Sequence, residues 1–443
     1  MGEQIDLPDM TAEDEFSAYH DTSKYGYFSI LHETGRLNAK GYPIKKQESF
    51  LLRDMPLVLD AWRGTSNTWI SQAEFKKPNR RAVNMLRVGL AFIDLDFYKI
   101  DALRGKTPEA VRDLVFERCF QRGVSQPNLV VASGRGLQLK WVFQHTLPNR
   151  ALVRWNRLQS ELINVFRDMG GDPAARDVSR VLRLVDTYHA RARDVVRVIH
   201  HSEDRYSFDD VCDQVFEYSR AQVQEFRRQA QARKAGQLEA FQGNRNTTGL
   251  RSFSGRQLAW DRLNDLRLLI RLRGGCPEGE RMKMLFWQMN FMMLSGATNP
   301  QQLYMEAQQL AQQLDESWQV QTDELSTLYR KGKDFVAGNT VILDGKEVPA
   351  LYTPRNDTLI QLFEINPLEE QQLRTIISKS ESLERHRKRN RRNDEPMNRA
   401  QYEERSRCRG ETAKALKKEG YKGKEIAEKL GITPARVSQL LKN

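Results

Sequence analysis

The stretch Val88-Gly-Leu-Ala-Phe-Ile-Asp94-Leu-Asp96-Phe-Tyr-Lys99 decides the reading of this 443-residue chain. Val88–Ile93 is an apolar run with the length and β-branched content of a buried strand, and it ends in Asp94-Leu-Asp96. Residues i and i+2 of a strand share a face, so the two carboxylates project side by side. Such a pair repels, and one member takes up a proton unless a cation sits between them. Oxygen ligands at the end of a rigid strand therefore suit a hard divalent metal ion. The plainer alternative is an Asp pair at a strand exit, where Asp is common in turns.

Downstream lie two further strands, Asn128–Ser133 and Leu137–Gln144, joined by the tight turn Gly134-Arg135-Gly136. The glycines permit positive φ and close backbone approach to a ligand. Leu137, Leu139, Trp141 and Phe143 alternate onto one face, leaving Gln138, Lys140 and Gln144 on the other. Ser133, Arg135, Gln138 and Lys140 would thus offer hydroxyl, cationic and amide groups to an anion, where an ordinary hairpin would merely have a polar face. Arg154–Met169 reads as an amphipathic helix stopped at Gly170-Gly171. Asp172-Pro-Ala-Ala-Arg-Asp177-Val-Ser-Arg180-Val-Leu-Arg183 then supplies two more carboxylates, with Arg180 and Arg183 just before or within an apolar strand.

Elsewhere the pattern is modular. Residues 1–20 are acidic and aperiodic and read as a flexible leader, ahead of a core over 21–218. Within the core, Thr107–Gln121 is helical with Pro108 in its first turn. A polar helix and a Gly/Asn/Thr/Ser-rich linker occupy 219–255. Helix follows helix over 256–340, with Met284, Leu285, Trp287, Phe291 and Met292 as an apolar stripe that reads as core. A connecting segment (341–384), a basic linker (385–410) and a helix-turn-helix (411–443) complete the chain. In the last part Ala427 and the step to Gly431 match helix-turn-helix spacing, and Thr433 caps a helix begun by Pro434. Thr433, Arg436, Ser438 and Gln439 would face bases or phosphates.

Composition narrows the classes. The net charge is +12, and Arg385–Asn443 alone carries 18 Lys/Arg against 8 Asp/Glu, so the body is nearly neutral and the tail strongly basic. That asymmetry points to a polyanion such as nucleic acid. No apolar run approaches a membrane span and the acidic start lacks the features of a signal peptide, so a cytoplasmic location is expected. Cys119, Cys212, Cys276 and Cys408 are too scattered for a zinc site or a disulfide framework. A nicking enzyme would need a histidine pair, but His200 and His201 are adjacent and would point to opposite faces of a strand.

The stations Phe92–Lys99, Ser133–Trp141 and Asp172–Leu184 resemble, in order and spacing, the three motifs of the archaeo-eukaryotic primase superfamily, in the version carried by plasmid and mobile-element replication proteins. The resemblance covers about residues 65–200, and the block after Pro277 resembles the helical domain that often follows such a core. It implies a multidomain α+β protein: an RRM-like primase core with an antiparallel sheet, then an all-α domain and the helix-turn-helix. It implies a DNA primase joining nucleotides with Mg²⁺ or Mn²⁺ held by Asp94, Asp96 and a third carboxylate, Asp172 in preference to Asp177. The triphosphate would be held by Ser133, Arg135, Gln138, Lys140, Arg180 and Arg183. Expected partners are a single-stranded DNA template, NTP or dNTP, duplex origin DNA through the tail, and a replicative helicase. Arg80, Arg81, Trp69, Phe75 and Trp141 are candidates to grip the template. Two departures stand out: Gln138 replaces the usual histidine, and Val185-Asp-Thr-Tyr-His189 replaces a Pro-Gly-Thr-x-Asn segment. The competing reading is a non-enzymatic replication initiator or regulator that binds DNA through its tail.

Overall fold

A computed structural model describes residues 10–234, 248–321, 323–343, 345–393 and 399–442. They form two units, Met1–Pro354 and Arg355–Asn443. The first is built on a nine-stranded antiparallel sheet, counted among the described residues. Its strands are β1 (Tyr27–Leu37), β2 (Pro43–Leu51), β3 (Thr68–Ser71), β4 (Ala73–Phe75), β5 (Met85–Leu95), β6 (Leu129–Ala132), β7 (Leu137–Pro148), β8 (Val181–Arg183) and β11 (Arg197–His201). The order is β11-β6-β7-β5-β4-β1-β3-β8, with β2 added on β1, while β9 (Tyr188–His189) and β10 (Asp194–Val195) pair separately. The expected α+β class and antiparallel sheet are borne out.

The central strand is the one anticipated from the apolar run. Val88 and Leu90 to Ile93 are all at most 1% exposed, and β5 pairs with β7 so that Asp94 lies opposite Gln138 and Leu95 opposite Leu137. On its other side β5 runs past the end of β4, and its free backbone groups are satisfied by side chains instead. In α4 (Leu152–Val165), Gln159 accepts from Phe92 N and donates to Phe92 O, and Trp155 Nε1 donates to Leu90 O. At the strand end, Asp172 N donates to Asp94 O and Asp96 N to Gly170 O. The third carboxylate segment is therefore tied to the first by main-chain bonds. Gly170 is required there: at φ +100°, a Cβ would stand 2.8 Å from Asp96 O.

Around the sheet pack α1 (Ala12–Ser17), α2 (Met55–Trp62), α3 (Pro108–Arg122), α4, α5 (Phe208–Val215) and α6 (Arg220–Lys234). The leader is partly ordered, a departure from expectation. Residues 1–9 lie outside the described residues, but α1 has a Thr11–Asp14 capping box and a fully buried Phe16. An apolar residue and a buried Glu15 anchor a stretch whose composition alone looked mobile.

The helical block comprises α7 (Thr248–Leu272), α8 (Arg281–Ser295), α9 (Leu303–Leu314) and α10 (Ser326–Ala337), followed by the hairpin β12 (Thr340–Leu343) and β13 (Lys346–Pro349). Its stripe is core as read, with Leu285, Phe291 and Met292 fully buried. Two boundaries shift. The first half of the linker lies outside the described residues, and from Thr248 the chain is already helical. The block also shares one unit with the sheet rather than forming a domain of its own. Side chains of α9 bond directly to the loop before β5, which makes the two inseparable.

The second unit holds α11 (Asn356–Leu362), α12 (Pro367–Gln372), α13 (Lys379–Asn393), α14 (Arg399–Lys418), α15 (Gly423–Leu430) and α16 (Pro434–Lys442). The supposed basic linker is helical on both sides of residues 394–398, which lie outside the described residues. Arg385, its first cation, is committed to structure: it donates to Leu373 O, Glu370 O and Glu381. In the last three helices, Ala413, Ile426, Ala427, Val437 and Leu440 form a small core, and Gly431 turns in the left-handed region between α15 and α16. Thr433 caps α16 by accepting from Arg436 N, as its sequence suggested. Thr433, Arg436, Ser438 and Gln439 are all exposed, with Arg436 donating to Gln439 and Ser438 to Pro434 O. Among the described residues, no helix is long and apolar enough to cross a membrane.

Candidate functional site

The end of β5, the β6–β7 turn and β8 converge on a cavity of about 400 Å³. Asp94, Asp96, Ser133, Arg135, Gln138, Asp177, Arg180 and Arg183 all line it, so residues from all three sequence stations meet at one place. The turn needs its glycines. Gly134 has φ +100° and a Cβ there would meet the His189 ring at 2.5 Å, while one at Gly136 would meet Leu95 O at 2.6 Å.

The acidic corner is tightly coupled. Arg180 Nη2 lies 2.9 Å from Asp172 Oδ2 and 3.4 Å from Asp94 Oδ2, and Lys99 Nζ lies 2.5 Å from Asp96 Oδ2. Burial pushes the Asp94 carboxyl up to about 6, the charges of Asp96 and Asp172 add to the rise, and Arg180 opposes it. A guanidinium is thus placed between Asp94 and Asp172, while Asp96, the strand neighbour of Asp94, is paired with Lys99 instead. Asp94 and Asp96 open on the cavity and their hard oxygens fit a divalent ion. Asp172 does not line it: one oxygen bonds Arg180 and the other caps Ala174 N. Among the described residues, no group of three or more His, Cys, Asp or Glu is arranged to hold a metal. Asp177, set aside from sequence, does line the cavity, with Oδ1 accepting from Ser179 N.

The cationic wall is larger than the sequence indicated. Lys45, Arg80, Arg135, Arg180 and Arg183 face Asp94, Asp96 and Asp177 across the cavity. Trp69 lies between two of these cations, with Lys45 Nζ 3.9 Å and the Arg183 guanidinium 4.8 Å from its ring centre. Arg135 stacks on Tyr98 at 4.4 Å. The buried Nε–H groups of Arg80, Arg135 and Arg180, and the Gln138 Oε1, have no hydrogen-bond partner. Unpaired buried donors are costly; what suits the cavity to an anion is the positive charge of the five cationic side chains that line it.

Three further expected residues are elsewhere. Lys140 is fully buried and bridged to Glu15 of α1, with Tyr19 Oη 3.2 Å away, so it does not reach the cavity. Burial lowers its pKa and Glu15 opposes that shift. Trp141 and Phe75 are fully buried, and Trp141 Nε1 donates to Ser125 O, so neither can grip a template. Sequence reading missed Lys45, Tyr98, His189 and Gln302, which also line the cavity. His189 accepts from Ala192 N at Nδ1, which leaves its proton on Nε2. Burial and then Arg183 and Arg135 depress its pKa to about 4. Tyr98 and His189 lie in or beside stretches the sequence analysis quoted, whereas Lys45 and Gln302 come from segments remote from every motif.

The sequence matches no protein-family model. It is 28% identical over 196 residues to a replication protein of Clostridium perfringens, a match covering 43% of this chain and 46% of that protein, so about half the relative's length is spanned. Among solved structures, the primase-polymerase domain of cyanophage S-2L aligns at 16% identity and TM-score 0.32, over 46% of this chain and 95% of that one. The catalytic domain of primase RepB′ in complex with initiator DNA aligns at 14% and 0.26, over 52% and 100% of the two chains. The RepB′ primase itself aligns at 13% and 0.25, over 72% and 93%. The chain is a distant relative of a bacterial replication protein.

Proposed function

We propose that this protein is a replication primase that joins nucleotides in the cavity at the end of β5. The observation that carries the reading is the meeting of Asp94 and Asp96 with the guanidinium side chains of Arg80, Arg135, Arg180 and Arg183 in one cavity. Phosphoryl transfer asks for charge neutralisation and positioning, and this wall offers both to a triphosphate. Arg80, Arg135 and Arg183 would bind phosphate oxygens, Ser133 and the His189 Nε2–H would add neutral donors, and Arg180 would hold Asp94 in place. Asp94 and Asp96 would hold Mg²⁺ or Mn²⁺, which would supply Lewis-acid stabilisation of the phosphoryl group. Trp69, its ring engaged by Lys45 and Arg183, would orient these two cations toward the phosphates rather than stack a template base.

The second unit would anchor the enzyme on duplex origin DNA through α14–α16, with Thr433, Arg436, Ser438 and Gln439 exposed on and just before the last helix. A replicative helicase would act next. The competing reading, a non-enzymatic initiator, is favoured by the engagement of both Asp172 oxygens with Arg180 and Ala174 N, away from the cavity.

One experiment separates them. Purified protein with Mn²⁺ or Mg²⁺, nucleotides and single-stranded template should make short oligonucleotides, and Asp94→Ala with Asp96→Ala should abolish synthesis while leaving duplex binding intact. Absence of synthesis under every metal and nucleotide condition would overturn the primase reading and favour the initiator.

A further inference from the structure

The loop over residues 76–81 and the turn Ala82–Asn84 that follows it form the approach to β5. The turn is buried, with Ala82, Val83 and Asn84 at most 1% exposed. One face of α9 meets this segment at three successive positions. Glu306 is itself 1% exposed and accepts from Ala82 N at 3.0 Å and Val83 N at 3.5 Å. Gln309 accepts from Asn79 Nδ2, and Gln313 Nε2 lies 3.4 Å from Asn84 Oδ1. Their spacing of three and four residues sets them in a row along the helix.

That loop carries Arg80, whose Nη1 donates to Ser179 O and whose Nε–H stands partnerless in the cavity wall. Residues 76–84 lie between β4 and β5 and belong to neither strand, so the direction of Arg80 depends on what holds the turn. Just ahead of α9, Gln302 reaches the same cavity, its backbone N capped by Asn299.

We propose that α9 is a working wall of the anion cavity: Gln302 faces the ligand, and Glu306 is a positioning residue that aims Arg80 by gripping the turn Ala82–Asn84. The inference rests on the triphosphate reading of the cavity. It makes the helical block a component of the nucleotide site. A carboxylate is suited to the task because it accepts from two amides at once. Glutamine keeps the shape but turns one acceptor into a donor facing another N–H.

The test is a double-mutant cycle on the full chain, with inorganic tripolyphosphate as the probe and calorimetric Kd as the readout. Arg80→Ala should weaken binding about tenfold, the loss of a charge-assisted hydrogen bond. Glu306→Gln should weaken it by a similar factor of about five to ten, and the double variant should be no weaker than Arg80→Ala alone. Additive losses, or wild-type affinity in Glu306→Gln, would overturn the positioning role while leaving the cavity reading intact. Failure of the wild type to bind would overturn the cavity reading and the latch with it. Should Glu306→Gln not fold, Asn79→Ala removes the Gln309 bond from the loop side. It should weaken binding about twofold to threefold, an effect again absent when Arg80 is replaced by alanine, and an unchanged Kd would overturn the role.

Discussion

Gln138 and Lys140 stand two residues apart on the same face of β7, opposite Asp94 and Phe92 of the same neighbouring strand. Gln138 opens on the cavity with its Oε1 unpaired, whereas Lys140 is sealed against Glu15 with no exposure at all. What separates them is the cover. Helix α1 closes over one position, and the arginine-lined cavity stands over the other. The closed site gives its charge a partner, while the other position borders a cavity lined by cationic side chains that can take an anion.

The contrast can be broken most forcefully at the closed end. Glu15→Ala leaves a buried ammonium without its counter-ion and should lower unfolding stability by about 3–5 kcal/mol, measured by denaturant titration. Making both positions apolar, through Glu15→Leu and Lys140→Met together, should recover most of that loss. A mild effect of Glu15→Ala would show that α1 is not the seal.

At the open end the sign reverses. Asp94 has a folded pKa of about 6, above its unfolded value, so the native state binds the proton more tightly. In metal-free buffer this group's contribution to stability should fall as pH rises from about 4 to about 6 and stay flat above that. Asp94→Asn should remove the slope and raise stability at pH 8 by about 1–3 kcal/mol while eliminating synthesis. A stability profile identical to wild type would remove the claim that the carboxylate is held at a cost.

The smallest change is expected at Gln138. Gln138→Leu discards an amide that makes a single 3.3 Å bond to Arg183 O and should shift stability by no more than about 1 kcal/mol. Its effect should appear instead as a higher KM for nucleotide with kcat nearly unchanged. A large loss of stability would mean that the cavity floor is built like its sealed neighbour.

Much was legible in the chain itself. The strand through Val88–Ile93, the paired Asp94 and Asp96, the glycine turn at 134–136 and the cap at Thr433 all follow from local rules. Periodicity, turn chemistry and capping act within a few residues, so a single segment states them. The helical stripe of α8 was readable for the same reason.

Tertiary structure alone decided which of these groups work together. Lys140 looked like a phosphate contact until Glu15, 125 positions earlier, claimed it. Asp172 has the right chemistry, but Arg180 and Ala174 occupy its oxygens, while Asp177 lines the cavity instead. Lys45 and Gln302 join the wall from a strand and a turn remote from every motif. The physical reason is that burial and pairing depend on what packs over a side chain, and that cover comes from anywhere in the chain. Sequence determined that two carboxylates would end the central strand side by side; the fold decided that a ring of half-satisfied arginines would face them.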